Sequence, residues 1–238
     1  MNAPRPRFYR EVAIESSSES TILLDGKPAK TPAGRLLQLP TQALAEAVAE
    51  EWRAQEPKIR PETMLLTKLA NTAIDRVALD RQAVIDQIVS FAKCDLVCYR
   101  ACEPAELKER QAKAWDPPLE WVRTHPGVDL KTTSGIAFLA QPVQALKALQ
   151  NVLLGRSDFE LAALSNAASV LGSAVLALTL ADRKLDAEAA FAAAHVDEIY
   201  QRERWGEDQE AAAKARSKRE ELDKIAAFLR LVKEPGQN

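Results

Sequence analysis

Phe8 to Leu39, FYREVAIESSSESTILLDGKPAKTPAGRLLQL, decides the fold, because strand signals are concentrated here and almost vanish beyond Thr63. Phe8 to Glu15 alternates loosely between apolar and polar residues, and Thr21 to Leu24 is a short β-prone run. Asp25-Gly26 directly after that run is a strong tight-turn pair. Lys27 to Thr31 then returns, Pro32-Ala33-Gly34 turns again, and Arg35 to Leu39 forms the next strand. The reading is an antiparallel β-meander. Gly26-Lys27 with Lys30-Thr31 superficially suggests a phosphate loop, but no second glycine precedes a Lys-Thr pair and no helix opens there, so that reading is set aside.

Helices follow on the C-terminal side. Thr41 suits an N-cap for a helix over 42–55, with Leu44, Val48 and Trp52 on the face that covers the sheet. Pro57 and Pro61 bracket a loop, and helices are then predicted over 63–76, 81–101, 105–114, 117–124, 142–154, 158–181, 187–205 and 209–232. Asp116-Pro117 reads as an N-cap with proline in the first turn, Ser157 to Glu160 as a capping box, and Gly155 as a helix stop. Pro126 to Gln141 is the longest non-helical connection, with a short extended piece expected at Gly135 to Leu139. The fold class is α+β: a small β-meander-plus-helix domain over residues 1–75, then a larger all-α domain over 76–238.

The totals exclude several function classes. Of 238 residues, 28% are charged and the net charge is −2, with ten basic and ten acidic side chains in residues 1–75. Neither part carries the excess of Lys and Arg that a nucleic-acid partner requires. Leu161 to Ala181 is free of charge for 21 residues, but Ser165, Asn166, Ser169, Ser173 and Thr179 give it a polar edge, so it reads as a buried bundle helix and membrane insertion is not expected. Cys94, Cys98 and Cys102 fall four apart, at the spacing of one helix face, a poor geometry for disulfides, and read as reduced, packed thiols. With two histidines in the chain, His125 and His195, the pair His195 and Glu198 lacks the further ligands a metal needs.

A second stretch, Asp186 to Gly206, DAEAAFAAAHVDEIYQRERWG, holds the candidate site. At helical spacing Ala189, Ala193, Val196 and Tyr200 form an apolar stripe. Phe191, His195, Glu198, Arg202 and Trp205 form a second stripe, with ionisable residues between aromatic ends. Glu198 and Arg202 stand four apart, so an internal ion pair and a surface built for a partner are both open readings. Tyr200 can pack inward or meet a partner, and so can Trp205.

Several motifs together go beyond composition. They are Asp25-Gly26 with Thr31-Pro32, Glu51-Trp52, TKLANTAID over 67–75, Asp95 with Cys98-Tyr99-Arg100, and Glu103-Pro104 with Gln111. Trp115-Asp116-Pro117, Glu120-Trp121, and Glu198 with Tyr200, Gln201, Trp205 and Gly206 complete the set. In combination they resemble, from about Phe8 to the last helix, the ATP synthase assembly chaperones known as the F1 complex assembly factor 2 family. The resemblance implies a small α/β N-terminal domain followed by an orthogonal helical bundle. It also implies a binding protein that holds the unassembled F1 α subunit, with no catalytic residue, cofactor, metal or small-molecule substrate. By the same resemblance Glu198, Tyr200, Gln201, Arg202 and Trp205 are the partner-binding residues. The start, without a targeting extension, and the Ala-rich helices suggest a bacterial cytoplasmic member, or the mitochondrial matrix for a processed eukaryotic one. After Gly206 the run Glu207 to Ala211 departs from the aromatic and His-Asp pattern of mitochondrial members. Two alternatives stand beside this reading: an enzyme with an interdomain pocket and Glu198 as acid or base, and a general scaffold for unfolded chains.

Overall fold

The first strands form because an alternating segment meets a turn that only permissive residues can make. In the computed structural model, which describes residues 6–16, 19–206 and 208–233, β1 (Val12–Ser16) pairs antiparallel with β2 (Ser20–Leu24), from Val12 opposite Leu24 to Ser16 opposite Ser20. Asp25 and Gly26 have φ of +49° and +74°, the two left-handed residues a type I′ hairpin needs, and β3 (Lys27–Pro28) returns with Lys27 opposite Leu24. Asp25 Oδ1 accepts from the amides of Arg10 and Glu11 at 2.9 and 2.8 Å. The Glu11 amide, then that of Arg10, holds the Asp25 carboxyl below its ordinary pKa. β4 (Gln38–Leu39) pairs with the other end of β2, and Lys30 meets Leu36 in a single bridge, so the strands are shorter than the alternation suggested. Between them Gly34 turns at φ +83°. Asp75 clamps that turn, accepting from the Thr31 hydroxyl at 2.7 Å and the Ala33 amide at 3.0 Å, which explains why Thr31-Pro32 and Asp75 occur together.

α1 (Gln42–Arg53) begins where the Thr41 side chain accepts from the Leu44 amide at 3.2 Å, and it buries Leu44, Ala45, Val48 and Ala49. Glu51 on its flank accepts from the amides of Leu66 and Thr67 and the Thr67 hydroxyl at 2.8–2.9 Å, capping α2 (Leu65–Thr72). Instead of one helix over 63–76, a 3-10 turn (Pro61–Thr63) precedes α2 and a π-helical turn (Ala73–Val77) follows it. By packing, the first compact unit comprises the described residues of Met1–Arg81, Ser157–Ala163 and Ala227–Asn238, thus reaching beyond the 1–75 stretch marked out above. Within it Phe159 stacks on Phe228 at 6.3 Å. Ser157 and Glu160 form the expected capping box at 2.9–3.2 Å.

The second unit comprises Gln82–Arg156 and Leu164–Ala226. α3 (Arg81–Lys93) stops eight residues earlier than predicted, since Asp95 starts a 3-10 turn (Leu96–Cys98) that leads into β5 (Tyr99–Arg100). The three cysteines therefore do not share a helix: Cys98 is buried in the turn, while Cys94 and Cys102 are exposed. α4 (Ala105–Thr124) runs unbroken through Pro117 and Pro118 where two helices were expected. A proline without an N–H should interrupt it. Tertiary anchors hold it instead: buried Gln111, Trp115, Pro118 and Val122, and the 2.8 Å pair from Arg100 to Asp116. β6 (Thr133–Ser134) lies parallel to β5, slightly before the extended piece expected at 135–139, and α5 (Val143–Leu154) follows.

The uncharged run 161–181 is not one helix. It breaks at Gly172 (φ +65°) into α6 (Asp158–Leu171) and α7 (Ala174–Ala181), where the Ser173 side chain accepts from the Leu176 amide at 3.0 Å. Buried Asp95 completes the new helix start, accepting from the amides of Ala174 and Val175 at 2.8 and 3.1 Å. Among the described residues no helix is long and apolar enough to cross a membrane. α8 (Ala187–Ala194), α9 (Val196–Trp205) and α10 (Gln209–Leu231) complete the bundle, and the helix predicted over 187–205 is divided at His195.

Candidate functional site

α9 is held in place from one side by α4. Trp115, 1% exposed, donates its indole N–H to the Ala193 carbonyl at 2.7 Å, just before α9 begins. One turn away the buried Gln111 amide donates to Asp197 at 2.7 Å and accepts from the Ala101 amide at 2.7 Å. One side chain thus ties α4, α9 and the segment after β5 together. The Arg100 guanidinium lies 5.1 Å from the Trp115 ring centre and donates to the Val97 carbonyl, so the Cys98-Tyr99-Arg100 and Trp115-Asp116-Pro117 motifs serve one junction.

The end of α9 is fastened by charge. Glu203, Arg110, Glu106 and Arg204 form a chain of ion pairs at 2.6, 2.9 and 2.6 Å. Arg204, then Arg110, holds the Glu106 carboxyl below its ordinary pKa. Both guanidiniums lie over the Tyr200 ring, at 5.2 Å for Arg110 and 4.6 Å for Arg204. Tyr200 is only 4% exposed, so its ring is part of this fastening, unlike the other four residues expected to bind a partner. Ala193 and Val196 of its stripe are buried with it, while Ala189, on the preceding helix, is exposed.

The other four candidates point outward together. Glu198, Gln201, Arg202 and Trp205 are all exposed, and their spacing of three, four and seven places them on one helical face. Trp205 is 76% exposed, and Gly206 at φ +91° ends the helix directly after it. No ion pair of Glu198 is found among the described residues, so the internal pairing with Arg202 that sequence left open is not what occupies this carboxylate. An exposed tryptophan beside polar groups of both signs is the composition of an interface anchor and its rim.

An enzymatic reading of Glu198 calls for a concave pocket, and its side chain is exposed. A cleft of about 520 Å³ in the second unit is lined by residues including Asp116, Glu120, Arg123 and Asp129, and Glu198 is not among them. Among the described residues no group of three or more His, Cys, Asp and Glu is placed to hold a metal; His195 stacks on Phe191 at 4.0 Å. Burial pushes the Cys98 thiol up to about 12, so it is no nucleophile at neutral pH. The supports Arg110, Glu106 and Arg204 and the Gln111–Asp197 link escaped the sequence reading, since surface charges at ordinary spacing give no sign of pairing across 93 or 98 residues.

Known proteins share this fold. The family model described as ATP12 chaperone protein matches residues 6–123. The mitochondrial protein atp12 of Schizosaccharomyces pombe is 26% identical over 224 residues, covering 87% of this chain and 77% of its own. The crystal structure of Atp12 from Paracoccus denitrificans superposes with a TM-score of 0.90 at 36% identity, over 96% of this chain and 99% of that one. The Atu1473 protein of Agrobacterium tumefaciens gives 0.89 at 40% identity, over 96% and 86%. The fold is that of α+β chaperone proteins. The chain belongs to the ATP12 chaperone family, whose members act in assembly of the F1-ATPase.

Proposed function

We propose that the chain binds the unassembled α subunit of F1 and covers its subunit interface until the α/β hexamer forms, without catalysing a reaction. The observation that carries this is the outward face of α9, where exposed Glu198, Gln201 and Arg202 precede the exposed Trp205. A subunit of a permanent oligomer presents a large apolar surface while unpaired, and that surface invites aggregation. A partner that binds it draws the population toward the soluble form by mass action. Release to the β subunit requires a contact smaller or more polar than the permanent one, and one aromatic anchor with a charged rim meets that requirement. The compartment is the one where F1 is put together, a bacterial cytoplasm or a mitochondrial matrix. Pull-down against separated α and β subunits tests the reading: capture of α is expected, and preference for β, or equal capture of unrelated denatured proteins, contradicts it.

A further inference from the structure

The connection between β6 and α5 presents two large apolar side chains to solvent: Ile136 is 101% exposed and Phe138 is 72% exposed. Neither fills any part of the core, and monomeric proteins rarely leave such groups outward together without a use for them. The backbone beneath them is fixed at both ends. The Gly135 amide donates to the Arg100 carbonyl at 2.8 Å, and the Leu139 amide donates to the Tyr99 hydroxyl at 3.3 Å. Gly135 turns at φ +85°, and a Cβ there would touch the Cys102 sulfur at 3.4 Å, so the approach is close as well as left-handed. A pre-organised apolar pair loses little entropy on docking.

We propose that residues 135–140 form a second docking element of the chaperone, an apolar finger that seats Ile136 and Phe138 in an uncharged groove of the unassembled F1 α subunit. The inference rests on the proposed function and extends it. Two observations select this occupant. From Thr132 to Leu146 no residue is charged, although 28% of the chain is, so the matching surface is apolar and neutral, as an unpaired subunit interface is. The finger is also continuous with the α9 support: it is pinned on β5, and Ala101, next after β5, is held by the Gln111 that also holds Asp197. One chain of hydrogen bonds thus runs from the finger to α9. A lipid surface is the less favoured occupant, because Lys131 is the one basic residue in the sequence between Asp129 and Leu146.

The test uses the full chain carrying Ile136→Ser, Phe138→Ser or both, beside Trp205→Ala, titrated with purified F1 α subunit. The double variant is expected to bind at least about tenfold more weakly than wild type, in the range of lost interface anchors, with an unchanged thermal midpoint because both side chains are solvated. Unchanged affinity in the double variant while Trp205→Ala binds weakly would overturn the finger and leave the α9 reading standing. Wild type that ignores the α subunit would overturn both. Finger-dependent binding to neutral phosphatidylcholine vesicles, finger-dependent dimerisation, or a large fall in the variants' midpoint would each replace the proposed occupant.

Discussion

Asp95 is a carboxylate with no exposed surface, and its environment pulls its proton in two directions. Burial dominates and raises its pKa from 3.8 to about 6, while hydrogen bonds from Ser173, Val175, Val97 and Ala174 lower it. A carboxyl whose pKa is raised by folding is protonated more readily in the native state, so its stabilising contribution is full below 3.8 and is lost as pH rises through about 6. With each pH unit worth about 1.4 kcal/mol, the loss amounts to about 3 kcal/mol. Measured by denaturant unfolding between pH 4 and 7.5, wild type should lose stability relative to Asp95→Asn as pH rises; a constant difference would show that Asp95 does not titrate there. Glu198 is the opposite case, exposed and without an ion pair among the described residues. Glu198→Lys should weaken α-subunit binding while the thermal midpoint stays nearly constant, the cost of a cation in the first helical turn being about 0.3–1 kcal/mol. A collapse in stability would make Glu198 a structural residue. Thiol titration near pH 8 should detect Cys94 and Cys102 in the native protein and Cys98 only after unfolding, and three reactive native thiols would refute its burial.

At the scale of elements, the breaks that position α7 and α9 come from distant partners. Ser165, Ser169 and Ser173 repeat every four residues and look equivalent, yet Ser173 caps α7 while Ser169 is exposed on α6. Ser173→Ala should cost about 1 kcal/mol, the usual value of an N-cap, and Ser169→Ala should stay within about 0.5 kcal/mol. Chemical denaturation of the pair decides it, and equal costs would mean the break at Gly172 does not depend on the cap. The Asp25-Gly26 hairpin, the Thr41 cap and the Ser157 to Glu160 box are local, and each appears where its residues stand. The Gly172 break depends on Asp95, 79 positions before Ala174, and the continuity of α4 through two prolines depends on Arg100 and on the burial of Trp115. No window of neighbouring residues holds that information. The site divides likewise: the outward spacing and an inward-packing Tyr200 were both readable on a helix, but the guanidiniums of Arg110 and Arg204 over that ring were not.

At the scale of the whole molecule, α9 is displayed on a helical scaffold braced by α4, with its ring at the helix end and its charges alongside. Such a surface suits temporary occupation of another protein's interface, because hydrated rim charges keep the contact reversible. Under the proposed function, the β subunit competes for the same surface with a larger permanent interface. Mixing purified α subunit with this chain and separating by size, with and without β subunit, tests that account most directly. A complex of chain and α that dissolves when β is added, releasing the chain intact, is the predicted result; an α subunit that migrates alone, or a complex that β leaves untouched, would contradict it.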